Sequence, residues 1–148
     1  MREIKFRAWH KTLNIMCGVS EITLYTRGIM MLLARNAEQM KLFQKMNEPI
    51  NRCDELCVWV KEVNLMQYTG MKDKNGVEIY EGDIIRVTDV GEISELNSDT
   101  GLGAVEWLDK WGFWNVTSIE NDLGYLLYSY DVEVMGNIYN NPELLKTK

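Results

Sequence analysis

Residues 2–9 alternate, with Ile4, Phe6 and Ala8 on one side and Glu3, Lys5 and Arg7 on the other. A period of two is that of a strand with one buried face. The stretches 13–17 and 20–26 read as two further short strands. In the second, Ile22 and Leu24 oppose Glu21, Thr23 and Tyr25, and Thr26-Arg27-Gly28 follows as a turn. The spacing then changes. Met30, Leu33, Ala34, Ala37, Met40 and Phe43 recur at three and four residues, in a stretch rich in good helix formers. This predicts a helix over 36–47, capped by Asn36 with Gln39 as its partner and closed before Pro49. Residues 29–34 fit either helix or strand.

Strand character returns over 56–68, with Val58, Val60 and Val63. Asn75-Gly76 is a strong hairpin signal, because both central residues of a type I′ turn need positive φ. Val77–Tyr80 is a short strand, Glu81-Gly82 a tight turn and residues 84–88 another strand. Residues 89–103 read as a long polar connection. Ala104–Leu108 and Gly112–Ile119 form a hairpin around Asp109-Lys110. Asn121-Asp122 turns the chain, and 125–130 and 132–135 are strand-like. Pro142, at the first position of a helical turn, closes the pattern.

Short strands with closely spaced turn signals define a mainly β, antiparallel architecture with one inserted helix and a short C-terminal helical turn. A single domain over 1–148 is expected, with 29–57 as a helical insertion and 61–148 as the compact part. Hydrophobic residues make up 46% of the chain, enough for a core and against disorder.

Charge changes the picture. The net charge is -6, which argues against non-specific nucleic-acid binding, where phosphate neutralisation supplies most of the affinity. The average hides a split: residues 1–60 hold nine Lys/Arg and six Asp/Glu, residues 61–148 seven and sixteen. An acidic half of this kind either solubilises the chain or docks a basic partner or the basic end of another subunit. No apolar signal segment and no membrane span are read, so a cytoplasmic setting with free thiols is expected. Cys17, Cys53 and Cys57 with the single His10 do not make a zinc pattern, and no cofactor is expected.

One histidine leaves little room for a triad, and His10 is expected in a solvated turn. Gly101-Leu102-Gly103 lacks the third glycine and the flanking strand and helix of a dinucleotide loop. Glu81 and Asp83, flanking Gly82, are the one carboxylate pair that a hairpin corner could aim into a polar pocket. The competing reading is turn chemistry, with Asp83 tying down backbone N–H groups. Trp107, Trp111, Phe113 and Trp114 cluster within eight residues. Alternation is expected to put Trp107 and Phe113 on one face, and Trp111 and Trp114 at the rim or on the other face. Such aromatics pack a core or subunit contact, or anchor a protein partner.

Three segments together resemble one family. They are Arg2-Glu-Ile-Lys-Phe-Arg-Ala-Trp9, the stretch from Leu65 through Tyr68-Thr-Gly70 and Asn75-Gly76 to Ile85, and the stretch from Val132 through Gly136-Asn137 to Leu145. In order and spread they resemble the YopX family of phage and prophage proteins. The resemblance implies a mostly β fold of folded and branching sheets, a phage or prophage origin and no established activity. It brings no catalytic residues. His10 departs from the acidic residue expected in the first motif, and 29–57 is longer and more Met-rich than expected.

The function these readings favour is a phage or prophage accessory protein: a non-enzymatic, homo-oligomeric binding module acting on a host or phage macromolecule. Met40, Phe43, Trp107, Trp111 and Trp114 are its expected interaction surface. One alternative is a small-ligand or nucleotide-binding protein, with or without metal-assisted hydrolysis at Glu81 and Asp83. Another is an acidic protein that occupies a DNA-binding surface of a host enzyme. Direct nucleic-acid binding and membrane association are not expected.

Overall fold

The computed structural model describes residues 3–25, 28–34, 56–89 and 100–146. The strands form two antiparallel sheets, and the chain divides into two compact units, Lys5–Gln67 and Met1–Ile4 with Tyr68–Lys148.

In the Lys5–Gln67 unit, β1 (Phe6–His10) pairs on one edge with β2 (Ile15–Tyr25) and on the other with β5 (Val63–Lys72). Beyond β2 follow β3 (Gly28–Ala34) and β4 (Leu56–Trp59), which completes the order β4-β3-β2-β1-β5. The strand read at the start of the chain is real, but its burial is not one-sided: Ile4 is 73% exposed, while Ala8, Trp9 and His10 are buried in succession. Ala8 packs with Cys17 and Val63, joined by Leu13, Ile15, Val19, Ile22, Val60 and Leu65. Three readings change here. The two strands expected over 13–17 and 20–26 are one strand, β2, kept continuous by a bulge between Val19 and Glu21. Residues 29–34 are strand: a short apolar run cannot be told from helix by periodicity alone, and pairing to both β2 and β4 decides it. A 3-10 turn, Val60–Glu62, interrupts the strand read over 56–68. The helix expected over 36–47 lies outside the described residues, as do Met40 and Phe43.

His10 also departs from expectation. It is buried at the end of β1, and its Nδ1 accepts from the Leu13 amide (3.3 Å) while its carbonyl accepts from the Asn14 amide (2.9 Å). The ring braces the 11–14 turn, whose Asn14 takes a φ of 52°.

In the Tyr68–Lys148 unit, the end of β5 pairs with β6 (Glu78–Tyr80), as Tyr68↔Tyr80 and Lys72↔Glu78. A second sheet has the order β10-β9-β8-β7-β11. Its strands are β7 (Asp83–Thr88), β8 (Gly101–Leu108), β9 (Phe113–Val116), β10 (Asn121–Asp122) and β11 (Asp131–Asn137). Ile79, Ile85, Val87, Val105, Trp114, Val116, Ile119, Leu123, Leu126 and Val132 form its core. Chain turns are fixed by short polar side chains. Asp73 Oδ1 accepts from the Asn75 (2.8 Å) and Val77 (2.9 Å) amides, and its Oδ2 from the Val134 amide (3.0 Å). The Asn75-Gly76 hairpin exists, but it is not type I′. Only Gly76 has positive φ, at 80°, closing a three-residue loop in which Gly76 N–H bonds the Asp73 carbonyl (3.0 Å).

The strand read over 125–130 is instead a helix, α1 (Leu123–Ser129). Asp122 is its cap, with Oδ1 accepting from the Tyr125 amide (2.9 Å), and Leu123 and Leu126 are buried. Asn121-Asp122 reads as a turn in the sequence, but it is the short strand that leads into this helix. An Asp at this position stabilises the first helical turn, and leucines three apart share a helix face. A 3-10 turn, Pro142–Leu145, stands where Pro142 signalled one.

Candidate docking site on the β8–β9 hairpin

Strands β8 and β9 pair as Val105↔Val116, Glu106↔Asn115, Trp107↔Trp114 and Leu108↔Phe113. Directly opposed residues share a face of the sheet, so this register settles which aromatics sit together. Trp107 lies with Trp114, not with Phe113 as alternation alone had suggested. Their rings meet edge-on at 5.0 Å, with Trp114 only 5% exposed in the core and Trp107 38% exposed beside it. The sequence reading misplaced them because it fixed the period but not the register across the loop. The 109–112 loop sets that register: the Trp111 and Gly112 amides both donate to the Leu108 carbonyl (3.1 and 2.8 Å), and Gly112 takes a φ of 67°.

The opposite face carries a cavity of about 560 Å³, lined among others by Glu106, Leu108, Trp111, Phe113, Asn115 and Glu120. Trp111, at the hairpin tip, is 66% exposed, and the Lys110 ammonium lies 4.9 Å from its ring centre. Asn115 is buried, and its Nδ2 donates to Glu106 Oε1 (2.9 Å), which orients that carboxylate. Glu120 comes from the 117–120 turn, where both Ser118 (φ 71°) and Glu120 (φ 57°) adopt the left-handed conformation. That conformation costs about 1–2 kcal/mol for a residue with a Cβ. The Glu120 amide, donating to the Val116 carbonyl (2.8 Å), and the Thr117 amide, donating to the Ala104 carbonyl (2.9 Å), hold the turn against β8 and β9.

Glu81 and Asp83 are placed differently. Asp83 is buried, and its Oδ2 accepts from the Tyr80 amide (2.8 Å). Between them, Gly82 (φ 77°) donates to the Val105 carbonyl (2.8 Å) and accepts from the Ile138 amide (2.9 Å). Glu81 is half-buried near Tyr139, whose phenol is pushed up first by burial and then by the Glu81 charge. The corner therefore ties β6 to β7 through the Asp83 carboxylate, and to β8 and the segment after β11 through the Gly82 backbone.

Sequence reasoning singled out Trp111 but missed Glu106, Asn115 and Glu120. The first two carried a usable signal: positions 106 and 108 alternate with 105 and 107, and a four-residue loop would bring 115 opposite 106. Glu120 carried none, because its place depends on the left-handed turn. Among the described residues no three of His, Cys, Asp or Glu converge as a metal site, and no helix is long and apolar enough to cross a membrane.

Architecture and site together define an antiparallel β protein with an aromatic and acidic hairpin face. The family model described as YopX protein matches residues 5–146, nearly the whole chain, and the chain belongs to the YopX family. A solved structure, protein EF1440 from Enterococcus faecalis, is similar in fold. It is 23% identical, with a TM-score of 0.56 over 98% of this chain and 99% of that one. No curated protein matches the chain.

Proposed function

We propose that this chain is a phage or prophage accessory protein that acts as a non-enzymatic binding module. It works as a homo-oligomer in the bacterial cytoplasm and engages a host or phage macromolecule through the β8–β9 hairpin. The observation that carries this reading is the hairpin itself: a 66% exposed tryptophan beside an open cavity, on two strands of a five-stranded sheet. Large exposed aromatics on a firm scaffold are typical anchors of protein contacts. Tyr128 on α1 is 92% exposed but does not line this cavity. The buried carboxylates support a structural rather than a catalytic role, because Asp73 and Asp83 accept hydrogen bonds from the backbone.

The oligomer part is tested by light scattering coupled to size exclusion at tens of micromolar chain. The expected mass is a multiple of 17.2 kDa, unchanged when Trp111 is replaced by Ser, because the hairpin face with the cavity is kept for the other macromolecule. A wild-type mass of one chain contradicts it.

A further inference from the structure

Resting on the docking reading above, we infer that the cavity on the outer face of the β8–β9 hairpin receives an arginine side chain from the protein it docks. The argument begins with what lines the cavity. Trp111 and Phe113 offer flat aromatic surface, Leu108 an aliphatic wall, and Glu106 and Glu120 two carboxylates. Flat rings and carboxylates lining one cavity match a guanidinium, which is planar, stacks on aromatics and forks onto a carboxylate through paired N–H donors. A lysine ammonium satisfies the charge but not the plane.

Two features of the site reinforce this. Glu106 is held by the buried Asn115, so its carboxylate is oriented before any ligand arrives. The Trp111 ring, 66% exposed, already carries the Lys110 ammonium over one face at 4.9 Å, so an arginine stacks on the other face or displaces Lys110. The surroundings favour a cationic visitor over an anionic one. From residue 100 to 146 the chain holds seven acidic residues against Lys110 and Lys146. Complementary charge of this kind steers encounter and selects partners. With no third ligand converging among the described residues, the pair of glutamates suits an organic cation better than a metal ion.

The test uses the full-length ¹⁵N-labelled chain at about 150 mM salt, near physiological screening, and the blocked tripeptide acetyl-Gly-Arg-Gly-amide. Its citrulline counterpart has the same shape without the charge. The expected result is saturable shifts at the Glu106, Phe113 and Asn115 amides and at the Trp111 indole with the arginine peptide, and none with citrulline. Joint replacement Glu106→Gln and Glu120→Gln is expected to weaken binding at least about tenfold. Trp111→Ser, at an exposed position that folding does not need, is expected to do the same and serves if the double variant fails to fold. Equal binding of the citrulline peptide, or shifts confined to other parts of the chain, overturns the proposal. So does an oligomer that dissociates in the double variant while the arginine peptide shifts nothing, because a second copy is then the occupant. If a captured partner is lost with Trp111→Ser but kept with both glutamates neutralised, docking stands and the arginine assignment fails. A single-chain mass with saturable arginine binding leaves the pocket in place and removes only the oligomer.

Discussion

Replacing Asp73 by alanine is expected to destabilise the chain by about 3 kcal/mol, because a buried backbone donor left without its partner costs roughly 1–3 kcal/mol. The carboxylate holds three partly buried donors, the amides of Asn75, Val77 and Val134, whose combined loss sets the figure. The last of these links the β5–β6 loop to β11, where Lys74 N–H also reaches the Val132 carbonyl (3.0 Å). Both ends of a long-range connection therefore depend on one side chain. Asp73→Asn keeps the shape but turns one acceptor oxygen into a donor, and is expected to cost about 2 kcal/mol.

The effect has a definite pH dependence. Burial alone would raise the Asp73 pKa, but the amides of Val134, Val77 and Asn75, with a smaller contribution from Lys74, bring it below the ordinary 3.8. A carboxylate with a depressed folded pKa stabilises the fold above its unfolded value and loses that contribution as pH falls through the folded one. The gap between wild type and Asp73→Asn in urea melts is thus expected in full at pH 7 and to narrow below pH 3.8. A gap that stays constant down to acid unfolding would show that the ionised carboxylate is not what holds the loop.

Gly103→Ala is the second large effect, expected to cost about 3 kcal/mol or more. A Cβ built at Gly103 collides with the Thr117 carbonyl oxygen and approaches Val116 Cγ1 to 2.6 Å. The obstruction is backbone, and that backbone is fixed by Thr117 N–H to Ala104 carbonyl and by Ala104 N–H to Thr117 Oγ1, each 2.9 Å. Overpacking a well-packed site costs typically 1–3 kcal/mol, and more when nothing can move. Gly136 makes a useful contrast. A Cβ there meets only the side chain of Asn141, whose amide group can rotate away while its Cβ, at 3.1 Å, gives slightly, so Gly136→Ala is expected to cost less, about 1 kcal/mol. Equal melting of the two variants would contradict this ranking.

These residues also show what was legible in the sequence. Period-two alternation and closely spaced turns pointed to the antiparallel β class and to β1, although the burial of Trp9 and His10 beside Ala8 shows that both faces of β1 are covered at its end. Turn chemistry gave Gly76, Gly82 and Pro142, whose backbone needs are local. Register and non-local pairing were not legible. Residues 29–34 look equally like helix until β2 and β4 flank them, and Trp107 was paired with Phe113 until the 109–112 loop set the count. Helix α1 was hidden because its cap, Asp122, also reads as a turn. The candidate site was half visible: Trp111 stands out by type, whereas the Glu106–Asn115 pair exists only through the hairpin register, and Glu120 only through two left-handed residues that no composition announces.

The central claim is that the hairpin face binds a macromolecule, and quantitative affinity capture from bacterial host lysate tests it most directly. The wild-type chain and the Tyr128→Ser variant are expected to enrich the same protein, and the Trp111→Ser variant to lose it while melting at the wild-type temperature. A captured protein retained in full by a folded Trp111→Ser chain would contradict the claim.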